Sequence, residues 1–456
     1  MITKPWWYKI NTMTQIIADL HLHSKYSRAV SQSMDLKGIA GWAKKKGINL
    51  VATGDWTHPL WFKAIKTELK ETAPGIFNHS SAPDVRFLLT TEISSIYSQG
   101  DRSRRVHNLI FSPSIAASEK IINQLRSRGA NLLSDGRPIV GLSSKNLLEL
   151  VLEVDKNSLL IPCHVWTPWF SLYGSKSGFD SIEECFGAEL SKNIYAVETG
   201  LSSDPIMNWQ INELENRSIV SFSDAHSGPK LGREATVFTC NTNHETCNTY
   251  SYSDIIDAIK QTPNSKLKIG YTIEFFPEEG KYHWTGHRTC NIRYDTKTTK
   301  EKGVICPVCH QSLTVGVENR VVDLSSKPIN PDKLQYVKNN VGLVFVYDQE
   351  KNRRPFVSLV PLLEIITEIN EGSSIKALRS YEDLMRRFGT EFDILMKKSY
   401  EEIEAHAGNK LRHAIEIVRS RKVFVDPGYD GVFGKVKIFN KQDESPVVEE
   451  NQPSLF

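Results

Sequence analysis

The sequence predicts an α/β fold, built on a parallel sheet or a (β/α) barrel. Short β-rich runs alternate with helical stretches from Gln15 to about Gln261, the order that parallel β-α units require. The His, Asp and Glu residues of that region fall at or just after the ends of the β-rich runs. In a barrel, strand carboxyl ends share one face, and catalytic groups gather there. Composition agrees, since 40% hydrophobic and 24% charged residues over 456 positions suit a globular chain of two or three domains.

In chain order the predicted strands are Ile16–Asp19, Ile48–Gly54, Val85–Ile93, Val106–Phe111, Leu159–Val165, Tyr195–Glu198, Ile219–Ser223 and Thr236–Cys240. The helical patterns between them are Leu36–Lys46, Ile115–Arg128, Asn146–Val154 and Tyr252–Lys260. This catalytic region spans 15–270. A second unit, 277–325, is rich in aromatic, basic and Cys/His residues and has little room for a core. A third, 328–440, reads as mostly helical over Leu362–Asn370, Ser380–Phe388, Phe392–Met396 and Tyr400–Arg419, with a β-like end at Lys422–Val425 and Val432–Phe439. The stretch 441–456 is polar and acidic, the composition of a disordered tail. Met1–Thr12 precedes a second methionine and reads as a start-site extension or a flexible arm.

Several classes are disfavoured. Apolar runs such as Ser158–Val165 are strand-sized, far short of a membrane span, and no secretory leader is evident, so a cytoplasmic location is expected. A net charge of +3 does not announce a nucleic-acid binder, although Lys44-Lys45-Lys46, Arg102 with Arg104-Arg105, and Arg419 with Arg421-Lys422 are local clusters that suit phosphates or a solvated face. Seven cysteines without a leader argue against a disulfide framework.

The sharpest motif is Asp19-Leu20-His21-Leu22-His23-Ser24. Alternate residues of a strand share a face, so His21 and His23 can address one metal. Asp55 follows the next strand with His58 behind it, and Glu92, His107 and His164 belong to later strands. Asp224 and His226 end another. Nine N/O donors at such positions suit two or three divalent cations, Zn²⁺, Mn²⁺, Fe²⁺ or Mg²⁺. Asp224 is the first choice for the essential ligand. His226 would orient the nucleophile or protonate the leaving group. A second cluster pairs His287 with Cys290 and Cys306 with Cys309, each pair separated by two residues, which is zinc-knuckle spacing. His283 and His310 are competing nitrogen ligands. A closed structural Zn²⁺ site there would supply folding free energy to a segment without a core.

These motifs carry a resemblance. Asp-Leu-His-Leu-His-Ser, Gly-Asp-x-Thr-His-Pro, Thr-Glu-Ile, Val-His-Asn-Leu, Pro-Cys-His-Val and Ser-Asp-Ala-His resemble, in order and approximate spacing, the PHP superfamily. That resemblance implies a distorted (β/α)₇ barrel and a trinuclear metal centre. Ser27-Arg28 stands where many members carry an acidic residue or His, and Gly54-Asp55-Trp56-Thr57-His58 where many have Thr-Asp-His. Whether Asp55, His58 or both bind metal stays open. The segment Gly-Lys-Tyr-His-Trp-Thr-Gly-His-Arg-x-Cys, then Cys-Pro-Val-Cys and Leu-Thr-Val-Gly-Val, closely resembles the zinc insertion of the endonuclease Q family, whose members often show Cys where His287 stands.

That family implies a DNA-repair endonuclease cutting 5′ to deaminated bases (hypoxanthine, uracil, xanthine) or abasic sites and leaving a 3′-hydroxyl and a 5′-phosphate. Trp166, Trp169, Phe170 and Tyr173, just after His164, are then stacking or wedge candidates, or aromatic packing over the site. Gln452 with terminal Leu455-Phe456 resembles the short motif by which bacterial proteins bind the replication sliding clamp. Two other readings compete: a PHP phosphatase acting on a small phosphomonoester, and a non-catalytic damaged-DNA or clamp-binding module.

Overall fold

The computed structural model describes residues 15–439 apart from 242–246, 248 and 351. The arm Met1–Thr12 and the clamp-motif residues Gln452, Leu455 and Phe456 therefore lie outside the described residues.

A ten-stranded mixed sheet organises the chain. Its first strand, Gln15–Asp19, runs parallel to Leu50–Ala52 on one side and antiparallel to Ala235–Cys240 on the other. Leu50–Ala52 continues in parallel to Ala82–Leu88, and Ala235–Cys240 pairs antiparallel with Leu267–Glu274. Thr90–Gln99, Arg102–Phe111 and Leu159–Pro162 belong to a separate four-stranded sheet, and Ala196–Glu198 with Ser218–Val220 to a parallel pair. Among the described residues these ladders do not close into a hydrogen-bonded barrel. The antiparallel strand Ala235–Cys240 interrupts the all-parallel order, so the observed architecture is a mixed α/β fold around a large sheet.

The helices form where sequence chemistry starts them. Asp35, Ser114 and Ser143 each accept a first-turn backbone N–H, and Ser251 with Asp254 makes a capping box. Their apolar faces close two large cores, one on each side of the first strand: Ile17 joins one, Ile16 and Ala18 the other. No helix among the described residues is long and apolar enough to cross a membrane.

Several features differ from the sequence reading. The run Val85–Ile93 breaks at Leu89 into two strands of different sheets, Ala82–Leu88 and Thr90–Gln99. Gln335–Lys338, Val344–Tyr347 and Phe356–Ser358, within the stretch read as mostly helical, extend the main sheet through Leu267–Glu274. Cys240 and Cys247 form a disulfide with Cα atoms 5.7 Å apart, a local closure that cysteine counting did not foresee. Each basic cluster also loses a member to the interior. Lys46 pairs with buried Glu391, Arg104 with Glu184, and the Arg419 guanidinium donates to the carbonyls of Val341, Ile394, Leu395 and Lys398.

Candidate metal centre

The chain leaves the first strand directly into His21 and His23, both fully buried. Their ring nitrogens divide the work. His21 Nδ1 lies 2.8 Å from Glu198 Oε1, and His23 Nδ1 lies 3.0 Å from Asp55 Oδ1. With Nδ1–H donating to these carboxylates, each Nε2 carries a lone pair turned to the opposite side. There His23 Nε2 lies 3.1 Å from both Glu92 Oε2 and Asp224 Oδ1, while His21 Nε2 lies 3.7 and 3.8 Å from the same two oxygens. His21 Nε2, His23 Nε2 and Asp224 Oδ1 are buried without a hydrogen-bond partner. Lone pairs facing lone pairs in a dry cage repel unless a proton or a metal cation lies between them. These residues therefore fit a metal ion.

Glu92 extends the centre. Its Oε1 lies 2.6 Å from His107 Nδ1 and 3.2 Å from His164 Nε2, so its two oxygens face two separate groups of donors. A third group joins His21, Cys163 and Glu198. Burial opposes charge on His21 and His23, yet Glu198 and Asp55, with Glu92 and Asp224, raise both imidazoles well above the usual histidine range. The cage thus attracts positive charge strongly. At Glu92 burial alone would raise the carboxyl, and His107 with Arg137 holds it well below its ordinary range instead.

The backbone bends to deliver these groups. Asp55, His164 and Asp224, each shortly after a strand, take left-handed φ values of 45°, 29° and 47°. Such conformations cost about 1–3 kcal/mol for a non-glycine residue and collect at functional sites. The His164 turn packs so tightly that a Cβ on Gly200 would lie 2.3 Å from the His164 Cβ. Asp19 secures the Asp224 turn by accepting the Ser223 N–H at 3.0 Å and its hydroxyl at 2.6 Å.

Of the nine expected donors, His21, His23, Glu92, His107, His164 and Asp224 meet in these groups. Asp55 stands behind His23, its Oδ2 taken by the Ser24 N–H and the Ser24 and Ser27 hydroxyls. His58 lies apart, stacked on Tyr26 with Nε2 at 3.2 Å from the Leu133 carbonyl. His226 sits at the rim, Nδ1 2.9 Å from the Asp224 carbonyl and its ring 4.8 Å from that of His23. Sequence reading missed Glu198, which ends a predicted strand but lacked a neighbouring motif, and Arg137, 3.1 Å from Glu92 Oε2. Because Asp55 orients His23, Asp55→Asn is expected to lower kcat/KM and metal affinity about 10–100-fold. A loss as deep as that of Asp224→Asn, measured in parallel, would make Asp55 a direct ligand instead.

A cavity of about 480 Å³ opens on His107, His164 and Asp224. Trp169, Phe170, Tyr282 and Phe433 supply its aromatic walls, with Arg105, Lys230, Arg233 and Lys281 among them. Trp169 and Tyr282 meet edge to face at 5.5 Å, and Lys281 lies 4.9 Å over the ring of Phe433, which is 61% exposed. Trp166 is a correction. It is 1% exposed and its indole N–H donates to Asn208, so it packs beneath the cavity and presents no face to a ligand. In the insertion, His287, Cys290, Cys306 and Cys309 bring their donor atoms within 4.8 Å of one another, and neither His283 nor His310 joins them.

No family model matches the chain. An uncharacterized protein of Methanocaldococcus jannaschii is 31% identical over 276 residues, 59% of this chain, which spans only 31% of that relative's length. The uncharacterized protein YqxK of Bacillus subtilis is 28% identical over 447 residues, covering 93% of this chain and all of the relative. The lesion-specific endonuclease Q of Pyrococcus furiosus superposes with a TM-score of 0.77 at 29% identity, over 95% of this chain and 98% of its own. The resemblance to endonuclease Q holds. A second endonuclease Q structure, in complex with a 27-mer duplex substrate carrying an abasic lesion at its active site, gives a TM-score of 0.78 at 29% identity, over 96% of this chain and 100% of its own. Likeness to endonuclease Q over this much of both chains, with the donor groups described above, supports a metal-dependent endonuclease.

Proposed function

We propose that this chain is a DNA-repair endonuclease that hydrolyses the phosphodiester 5′ to a deaminated base (hypoxanthine, uracil or xanthine) or an abasic site, leaving a 3′-hydroxyl and a 5′-phosphate. The observation that carries this reading is one juxtaposition. Buried, unpartnered donors of His21, His23 and Asp224 lie beside an aromatic, cation-edged cavity large enough for a nucleotide. In this reading the strand ends form the mouth of a distorted (β/α)₇ barrel.

His21, His23, Glu92, His107, His164, Glu198 and Asp224 would hold two or three divalent cations, Zn²⁺, Mn²⁺ or Mg²⁺. When bound, such ions acidify water and neutralise charge on a phosphodiester. The protein's own groups do the rest. Trp169, Phe170 and Phe433 would stack on a nucleotide drawn out of the duplex, an exchange that a missing or mispaired base makes cheaper. Arg137, Arg105 and Lys230 would fix flanking phosphates. His226 Nδ1–H donates to the Asp224 carbonyl, and burial holds its ring below the ordinary histidine range. Its Nε2 is thereby free to orient water, or to take that water's proton and hand it to the leaving oxygen. His287, Cys290, Cys306 and Cys309 would hold a structural Zn²⁺. The tail residues Gln452, Leu455 and Phe456 would engage a sliding clamp.

The test is nicking of duplexes carrying one deoxyinosine, one uracil, one abasic site or no lesion, with Mg²⁺, Mn²⁺ or Zn²⁺. Cutting confined to lesion-bearing strands supports the reading. Inert lesions together with hydrolysis of p-nitrophenyl phosphate would favour a phosphatase.

The elevated imidazoles of His21 and His23 add a pH dependence. A metal must displace their protons, so apparent affinity falls as pH drops below the raised values. Two displaced protons make metal binding at pH 6 up to about 10⁴-fold weaker than at pH 8. Metal titration of nicking at both pH values checks this, and equal affinities would contradict it.

A further inference from the structure

A second cavity, of about 390 Å³, lies at the other end of the strands. Register fixes its place. Gln15 pairs with Thr239, so Asn241 of this cavity lies past the start of the first strand, whereas His21 and His23 follow that strand's end. Ser218, also in its lining, begins the strand that runs toward Asp224. The two cavities share no lining residue.

Its chemistry is cationic. Arg353, Arg354 and Lys268 line it together with a single acid, Glu215, which is engaged by Lys327 at 2.7 Å. Arg353 Nη1 is buried and has no hydrogen-bond partner, and Arg354 forms no ion pair among the described residues. Burial holds the Arg353 guanidinium below the ordinary arginine range, whereas Arg354 is exposed. Asp348 and Glu215 oppose that shift. A desolvated guanidinium donor without an acceptor is costly to maintain, and an oxyanion satisfies it in a planar, paired geometry. Trp209 supplies an apolar wall, and the volume lies in the range of small-ligand sites.

We propose that this cavity binds a small phosphate-bearing anion, of mononucleotide size or less, through Arg353 and Arg354. The site is independent of the metal centre. Isothermal titration with inorganic phosphate and with deoxyadenosine 5′-monophosphate tests it on the wild type, Arg353→Gln, Arg354→Gln and Asp224→Asn. One equivalent is expected to bind alike to wild type and Asp224→Asn, and about tenfold or more weakly to either arginine variant, with nicking unchanged in Arg354→Gln. Unaltered affinity in the arginine variants would overturn the proposal, as would a site lost in Asp224→Asn alone. If circular dichroism shows Arg353→Gln unfolded, exposed Arg354 decides the question by itself.

Discussion

Asp224→Asn is expected to lower nicking by on the order of 10³-fold or more, about 4 kcal/mol of transition-state stabilisation. The variant keeps the shape of the side chain and removes its charge. Asp224 Oδ1 faces both His21 Nε2 and His23 Nε2 and has no hydrogen-bond partner of its own, so no neighbour can replace the lost carboxylate. The Asp19–Ser223 bonds that set the turn do not involve the Asp224 side chain, so the fold should persist. Single-turnover kinetics with saturating metal, beside a thermal melt, separates the two effects. A loss under tenfold would mean that the carboxylate does not belong to the reacting centre.

The second large effect concerns stability. Glu391→Ala is expected to destabilise the protein by about 3–5 kcal/mol. Lys46 Nζ lies 2.8 Å from Glu391 Oε2, with side-chain exposures of 1% and 4%. The same carboxylate accepts the Tyr381 hydroxyl at 2.8 Å and the Leu362 N–H at 3.0 Å, so it ties helix Leu36–Lys46 to the carboxyl-terminal helices. Removing it strands a buried ammonium and two donors. Replacing both ions, as Lys46→Met with Glu391→Leu, should recover much of the loss, because two apolar groups leave no unpaired charge. Denaturant unfolding of the three variants tests this, and a Glu391→Ala cost below 1 kcal/mol would contradict the account.

How much was legible in the sequence follows from range. The strands that precede His21, Asp55, His164 and Asp224 were visible, because β-rich runs followed closely by histidines or acids are local signals. The helices Leu36–Lys46 and Tyr252–Lys260 were visible for the same reason, as was Tyr400–Arg419, which a non-helical Gly408 divides in two. Pairing is a different matter. That Ala235–Cys240 runs antiparallel beside the first strand, or that Gln335–Lys338 joins the sheet edge, depends on contacts distant in sequence. The same limit applies at the metal centre. Glu198 meets His21 across 177 positions, and Arg137 meets Glu92 across 45, with no motif around either partner. Asp55 was read among the metal donors, and spacing alone cannot say that it stands behind His23 with Ser24 and Ser27 on its second oxygen. Basic runs misled most. Nothing local distinguishes Lys46, paired inside with Glu391, from a lysine turned to solvent.

The most direct measurement is a single-nucleotide map of the nick in an end-labelled duplex with one uracil, in Mn²⁺, with Asp224→Asn alongside. The account predicts one cut, at the phosphodiester immediately 5′ of the uracil, with 3′-hydroxyl and 5′-phosphate ends, absent from the variant and from undamaged DNA. A cut elsewhere, or one that survives Asp224→Asn at full rate, would contradict it.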